Sequence, residues 1–225
     1  MNDKELISGH YYHIYNCGIN GENLFRKSEN YEQFLAFTDK YILPVADLLA
    51  WVLMPNHFHF LVKIKENVVY KYSFADRDLK GEAWFDEHKW ETTDMDLSAY
   101  AVPDSVKVPK ANLHFSHCFN SYSKYYNTRF ARHGGLFERR FKRKHIDNLK
   151  YLRRMVLYIH NNPVHHGFCE HPSEYSWSSY LTCISLKPTK LKRDEVMGWF
   201  DSEANFRLMH GEKIEFEKIE KWLGL

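Results

Sequence analysis

The 225-residue chain has a globular share of hydrophobic (44%) and aromatic (16%) side chains and the length for one core domain with substantial insertions. No apolar run approaches the roughly 18 residues that a membrane-spanning helix needs, and the polar start Met1-Asn2-Asp3-Lys4-Glu5 lacks a signal peptide's basic and apolar regions, so a cytoplasmic protein is expected. A net charge of +2 identifies no anionic partner, and the four scattered cysteines, Cys17, Cys118, Cys169 and Cys183, suit reduced thiols better than a disulfide framework or a structural zinc site.

His10 to Ile19 is rich in aromatic and β-branched residues and is followed by the turn-like Asn20-Gly21, which predicts a first strand. Ser28 is the expected N-cap of a helix from Asn30 to Leu43, in which Tyr31, Phe34, Leu35, Thr38, Tyr41 and Ile42 recur at helical spacing until Pro44. Ala46 to Met54 is a second, nearly continuous apolar run, and Pro55-Asn56 makes a tight break before another strand. Successive strand side chains point to opposite faces, so His57 and His59 project from one face and Phe58 and Phe60 from the other. Two neutral imidazoles on a rigid backbone can hold a divalent metal if a third ligand arrives from another element. The competing reading is two polar side chains on a strand's wet face.

Glu66 to Lys110 shows no sustained period and reads as an insertion, partly ordered by Trp84, Phe85 and Trp90. Asn112 to Arg132 has Leu113, Phe115, Phe119, Tyr122, Tyr126 and Phe130 spaced for the buried face of a helix that Gly134-Gly135 ends. Leu136 to Ile146 can form a strand carrying basic residues. From Arg139 to Arg154 half of the residues are Lys or Arg, a phosphate-binding footprint or, equally, a solvated face. Asp147 is the expected N-cap of a helix running to Asn161-Asn162-Pro163. On it Tyr158 and Asn162 share a face, a turn apart, and can present a hydroxyl and an amide oxygen together; taken singly, one suits a core aromatic and the other a C-terminal cap. The remainder holds a turn-rich stretch from Ser173 to Tyr180, a charged linker and two short helical segments near Arg193 to Phe200 and Lys213 to Trp222.

Four blocks in order resemble the single-tyrosine HUH transposases, and within them the REP-associated tyrosine transposase-like proteins. They are Met54-Pro55-Asn56-His57-Phe58-His59-Phe60-Leu61-Val62, Gly135-Leu136-Phe137-Glu138-Arg139-Arg140-Phe141-Lys142, Tyr158-Ile159-His160-Asn161-Asn162-Pro163-Val164 and Tyr175-Ser176-Trp177-Ser178-Ser179-Tyr180. The resemblance implies an α+β fold with a ferredoxin-like (RRM-like) antiparallel sheet and helices on one face. It assigns residues 1–180 to the transposase domain, with the insertion at 66–110, and 181–225 to a C-terminal helical extension. It further implies that His57, His59 and Asn162 hold Mg²⁺ or Mn²⁺ and that Tyr158 is the nucleophile. Tyr122, Tyr125 and Tyr126 are rivals for that role, and the insertion is longer than the family's.

The implied reaction is metal-dependent cleavage and transfer of single-stranded DNA. A tyrosine attacks phosphorus to give a 5′-phosphotyrosine and a free 3′-hydroxyl, and the reaction can later reverse on another strand. A tyrosine hydroxyl of pKa about 10 needs help with the developing charge, which a divalent ion gives by polarising the phosphate. Arg139, Arg140, Lys142, Arg143 and Lys144 are the candidate DNA contacts, single-stranded or hairpin DNA is the expected partner, and a homodimer is an option. Two alternatives stay open: an RRM-like nucleic-acid-binding module without strand transfer, and a metallonuclease that uses water on the same ligands.

Overall fold

The computed structural model describes residues 5–70, 90–92, 108–212 and 214–224. Four strands form an antiparallel sheet: β1 (Tyr11–Cys17), β2 (Ala46–Met54), β3 (His57–Ile64) and, after two short strands named below, β6 (Lys142–Ile146), in the order β2-β3-β1-β6. Helix α1 (Ser28–Phe37) joins β1 to β2, and α2 (Ala111–Arg129) lies between β3 and β6. This is the split βαβ arrangement of a ferredoxin-like sheet, as the resemblance implies.

Alternation along β3 sorts the two faces. Phe58 packs against Phe34 of α1 (ring centres 5.1 Å apart) and Phe119 of α2 (5.2 Å), and Phe60 lies beside Phe34 (5.9 Å). Helices α1 and α2 therefore make the expected helical layer. The opposite face, with His57 and His59, is covered in part by α3 (Leu149–His165) and by later helices of the chain, α4 (Tyr180–Cys183), α5 (Arg193–Gly198), α6 (Glu203–Gly211) and α7 (Phe216–Leu223). Of these, α6 is a helix that the sequence pattern does not predict; Ser202 caps it by accepting from the Asn205 backbone N–H (3.1 Å). Within the insertion, β4 (Val68–Tyr70) pairs with β5 (Trp90–Thr92); Trp84 and Phe85 fall outside the described residues. Among the described residues no helix is long and apolar enough to cross a membrane.

Several element ends differ from expectation. Ser28 is the first residue of α1 rather than its cap, because Asn30 Oδ1 reaches back to accept from the backbone N–H groups of Arg26 (3.0 Å) and Lys27 (3.1 Å). Past Phe37 the chain makes a wider turn, closed by Leu43 N–H donating to Thr38 O (3.1 Å). Asn148, not Asp147, caps α3: its Oδ1 accepts from Tyr151 N–H (3.0 Å), while Asp147 Oδ1 accepts from the Asn148 amide (3.0 Å) and steadies it. Helix α3 also runs through Pro163 to His165. The proline sits in the last turn, where it forfeits only its own N–H bond, and His166 N–H still donates to Asn162 O (3.1 Å). The strand expected from Leu136 is confined to Lys142–Ile146, because Arg140 (φ 61°) turns the chain into the left-handed region.

The block from Tyr175 to Tyr180 is a rail along the outer edge of β2. Leu53 N–H donates to Trp177 O (2.9 Å), Ser179 N–H to Trp51 O (2.9 Å) and Trp51 N–H to Ser179 Oγ (2.8 Å). That covers an edge which would otherwise present unpaired backbone groups. The rail is tied to α3 and α6 by buried imidazoles: His160 Nε2 lies 2.7 Å from Ser179 Oγ and His160 Nδ1 2.9 Å from His210 Nε2, and His210 Nδ1 is 2.7 Å from Phe206 O. One proton per imidazole satisfies the chain: His210 donates to Phe206 O, His160 to His210, and Ser179 to His160.

Burial depresses His210 and His114 to about 4, so both are neutral in the folded protein, whereas unfolded histidine titrates near 6.5. Between those values the unfolded chain binds more protons. Stability is therefore complete above pH 6.5 and falls as pH drops toward 4, by about 2 kcal/mol per group at pH 5. Urea midpoints measured from pH 7.5 to 4.5 should fall steadily on acidification, and His210→Gln should flatten part of that fall; a pH-independent midpoint would contradict the burial of these imidazoles.

Candidate active site on the histidine face of the sheet

The sheet register sets which side chains surround the histidine pair. Cys17 stands opposite His57, Tyr15 opposite His59 and His13 opposite Leu61, so His13 and Tyr15 share the face of His57 and His59. The hairpin is fixed from below, since Pro55 O accepts from Leu24 N–H (2.7 Å) and Phe25 N–H (2.9 Å), and Asn56 O accepts from Gly18 N–H (2.8 Å). A Cβ on Gly18 would stand 1.9 Å from Glu22 O, so only glycine fits there.

Helix α3 crosses β2 and β3 on this side, and its four-residue spacing lays Tyr158, Asn162 and His166 along one stripe. His57 Nε2 is 2.9 Å from Asn162 Oδ1 and His57 Nδ1 is 2.8 Å from Asn56 Oδ1. His59 Nδ1 is 2.9 Å from His13 Nε2. The His57 and His59 rings have centres 5.1 Å apart, and His166 adds a third imidazole 5.2 Å from His57. Burial dominates their protonation: His57 is lowered to about 4, with the Asn162 contact partly opposing, and His59 is held well below the usual histidine range by burial and by neighbouring imidazoles. Both rings are neutral, as metal ligands must be.

A neutral His57 has one N–H but meets an amide oxygen at each nitrogen. With Nδ1–H donating to Asn56 Oδ1, the Nε2 lone pair of His57 faces the Asn162 side-chain amide. His57 Nε2 and Asn162 Oδ1 are the pair of atoms that could hold a cation between them. Their separation of 2.9 Å suits neighbouring ligands on an octahedral ion, which stand about 3.0 Å apart when the bonds are about 2.1 Å long. Both histidines also engage Nδ1 with a second residue and leave Nε2 for coordination, a pattern common to metal-binding imidazoles. Among the described residues no three His, Cys, Asp or Glu side chains converge to hold a metal, so the set that could do so is two imidazoles plus the Asn162 amide oxygen.

Tyr158 is 2% exposed. Its ring meets His59 edge-on (5.4 Å between centres) and His13 (6.1 Å), and Phe216 of α7 covers it (5.2 Å). Burial is the main cause raising its hydroxyl pKa, with Glu220 of α7 and Tyr15 adding to it; the Asn162 side chain works the other way. Phe216 also stacks on His165 (4.1 Å) and Trp222 on Tyr151 (4.6 Å), so α7 lies along α3 and over the tyrosine.

The rival tyrosines lie in the other layer. Tyr122 donates to Leu24 O (2.6 Å) and Tyr126 to Asn23 O (2.6 Å), while Tyr125 packs edge-on to Phe37 (6.4 Å). The basic residues divide too. Lys142 stands opposite Tyr15 and Lys144 opposite His13, on the histidine face, with Lys142 Nζ 5.7 Å from the centre of the Tyr15 ring and Lys144 Nζ 4.7 Å from that of Trp222. Arg143 points the other way, donating to Asn112 Oδ1 (2.9 Å), and Arg139 and Arg140 are exposed in the turn before β6. Sequence reasoning passed over Asn56, His166 and His13. Asn56 adjoins His57 and His166 continues the Tyr158–Asn162 spacing, but nothing local marks His13, which reaches the site only through strand pairing.

Fold and site together define an α+β protein with a ferredoxin-like sheet and a buried cluster of imidazole, amide and phenol groups between sheet and helix. Its fold is similar to that of a solved structure described as the REP-associated tyrosine transposase bound to a REP hairpin, at a TM-score of 0.50 and 16% identity over 84% of this chain and 88% of that one. No family model and no curated protein sequence matches the chain.

Loosening α7 should expose the tyrosine. In Phe216→Ala, nitration of Tyr158 by tetranitromethane, mapped by peptide mass, should be at least several-fold faster than in the wild type, with Tyr122 still protected. Equal rates would mean that α7 does not control access.

Proposed function

We propose that the protein cleaves and rejoins single-stranded or hairpin DNA through a covalent tyrosine intermediate, with Tyr158 as nucleophile and His57, His59 and Asn162 as ligands of Mg²⁺ or Mn²⁺. The convergence of these four side chains from β3 and α3 carries the reading, and the likeness in fold to a transposase bound to a REP hairpin supports it. When bound, a divalent ion supplies charge to polarise the scissile phosphate.

The chain's own groups do the rest. Tyr158 Oη attacks phosphorus in line as its phenolic proton passes to water, and the bond to the 3′-oxygen breaks as that oxygen takes a proton from water, leaving the 5′-phosphate on the tyrosine. The Asn162 amide favours the phenolate, opposing the burial that disfavours it. Lys142 and Lys144, with Arg139 and Arg140 in the preceding turn, offer phosphate contacts beside the site, and the half-buried Tyr11 offers a ring for an unstacked base. Arg143, directed at α2, contributes less. Because the tyrosine lies beneath α7, attack requires Phe216 to withdraw.

That same burial favours a second reading, a nucleic-acid-binding module without strand transfer. End-labelled hairpin DNA from the gene's own flanks, incubated with Mn²⁺, separates the two. A covalent adduct on denaturing gels should form with the wild type and be lost in Tyr158→Phe. That substitution should cost at most about 1 kcal/mol of stability. Binding without any adduct would favour the module. In the same assay Lys142→Gln with Lys144→Gln should reduce the log–log salt slope of binding by about 0.7 per lost contact, with Arg143→Gln changing it less; an unmoved slope would remove the lysines from the DNA surface.

A further inference from the structure

His13 is wholly buried on β1, its Nε2 is 2.9 Å from His59 Nδ1, and its Nδ1 is buried with no hydrogen-bond partner. Two neutral imidazoles in such contact share one proton, and the pair has two arrangements. In the first, His59 Nδ1–H donates to His13 Nε2, so the His59 Nε2 lone pair is free and the His13 proton sits on the orphaned Nδ1. In the second, His13 Nε2–H donates to His59 Nδ1, and His59 carries its proton on Nε2, where no cation can then bind.

We propose that His13 is a positioning residue for a divalent cation: it accepts the His59 Nδ1 proton and so holds the Nε2 lone pair of His59 out toward the ion. This rests on the reading of His57, His59 and Asn162 as a metal site. The geometry supports it in three respects. The His13 ring lies nearly parallel to His59 (14° between planes, centres 5.0 Å apart) and to Tyr15 (15°, 4.7 Å), so the edge that meets His59 cannot swing away. His59 Nδ1 makes no other hydrogen bond among the described residues, leaving His13 as its acceptor. On His57 the corresponding place is taken by the Asn56 side-chain amide, whose Oδ1 lies 2.8 Å from Nδ1 and in that orientation accepts from it, so both imidazoles have a partner at Nδ1 and Nε2 on the far side. Where Asn56 presents its oxygen it admits one tautomer of His57, whereas the contact between two imidazoles admits either with no change of position. The His59 arm is therefore the one whose readiness to bind a cation depends on where a proton sits.

The test uses the full chain with nitrogen-isotope-labelled histidine. Long-range proton–nitrogen NMR of the metal-free protein should show His59, assigned from its loss in His59→Gln, with the proton on Nδ1. His13→Phe keeps the ring but removes the acceptor, and should move that proton to Nε2 and weaken Mn²⁺ binding, measured by titration calorimetry, by at least about tenfold. His13→Gln, whose Oε1 can accept from Nδ1, should restore the tautomer and part of the affinity. A wild-type His59 protonated on Nε2, or a His13→Phe variant with unchanged tautomer and affinity, would overturn the proposal. If wild-type protein binds no Mn²⁺ at all, the metal reading falls by itself, and the tautomers of the wild type and the two variants still decide whether His13 sets the state of His59.

Discussion

The position of α3 across β2 and β3 is the constraint on which the site depends, because Tyr158 and Asn162 have no relation to His57 and His59 until that helix is docked. Three devices fix it. The Asn148 cap starts the helix, its apolar residues pack on the sheet, and His160 at its centre is tied to Ser179 on the β2 rail and to His210 on α6. The last of these is polar and fully satisfied. Such a network specifies one arrangement more sharply than apolar contact alone, because any slip of the helix would leave buried donors and acceptors unpaired.

Burial then sets the electrostatic character of the cluster. Desolvation keeps the imidazoles neutral and the phenol protonated, so the site is a set of dipoles rather than a set of ions. The basic side chains stay at the margin of the site, on β6 and the turn before it, where their hydration is less disturbed.

The two faces of the sheet do separate work. The α1 and α2 face is a continuous aromatic core, in which Tyr122 and Tyr126 spend their hydroxyls on backbone carbonyls of the loop before α1. The other face mixes aromatic, imidazole and lysine side chains under α3 and α7. Those two hydroxyls are held inside the core, whereas Tyr158 is covered by Phe216 of the short helix α7.

By itself the sequence determined the order of the four sheet strands and of α1, α2 and α3, the opposed faces of β3 and the pairing of Tyr158 with Asn162, because period-two and period-four spacings are local properties of the backbone. The four quoted blocks also pointed to the fold, although the last is a rail along β2 rather than part of the site. Tertiary structure decided the remainder. Alternation along β6 divided a run of basic residues that reads as one stripe, and Arg140 in a left-handed conformation shortened the strand beneath it. Asn148 replaced Asp147 as the cap, and Pro163 was absorbed into the last helical turn. Strand register brought His13 to His59 and helix docking brought Phe216 over Tyr158. The physical reason is that both contacts join residues far apart in the chain, and no local pattern encodes a neighbour supplied by a different element.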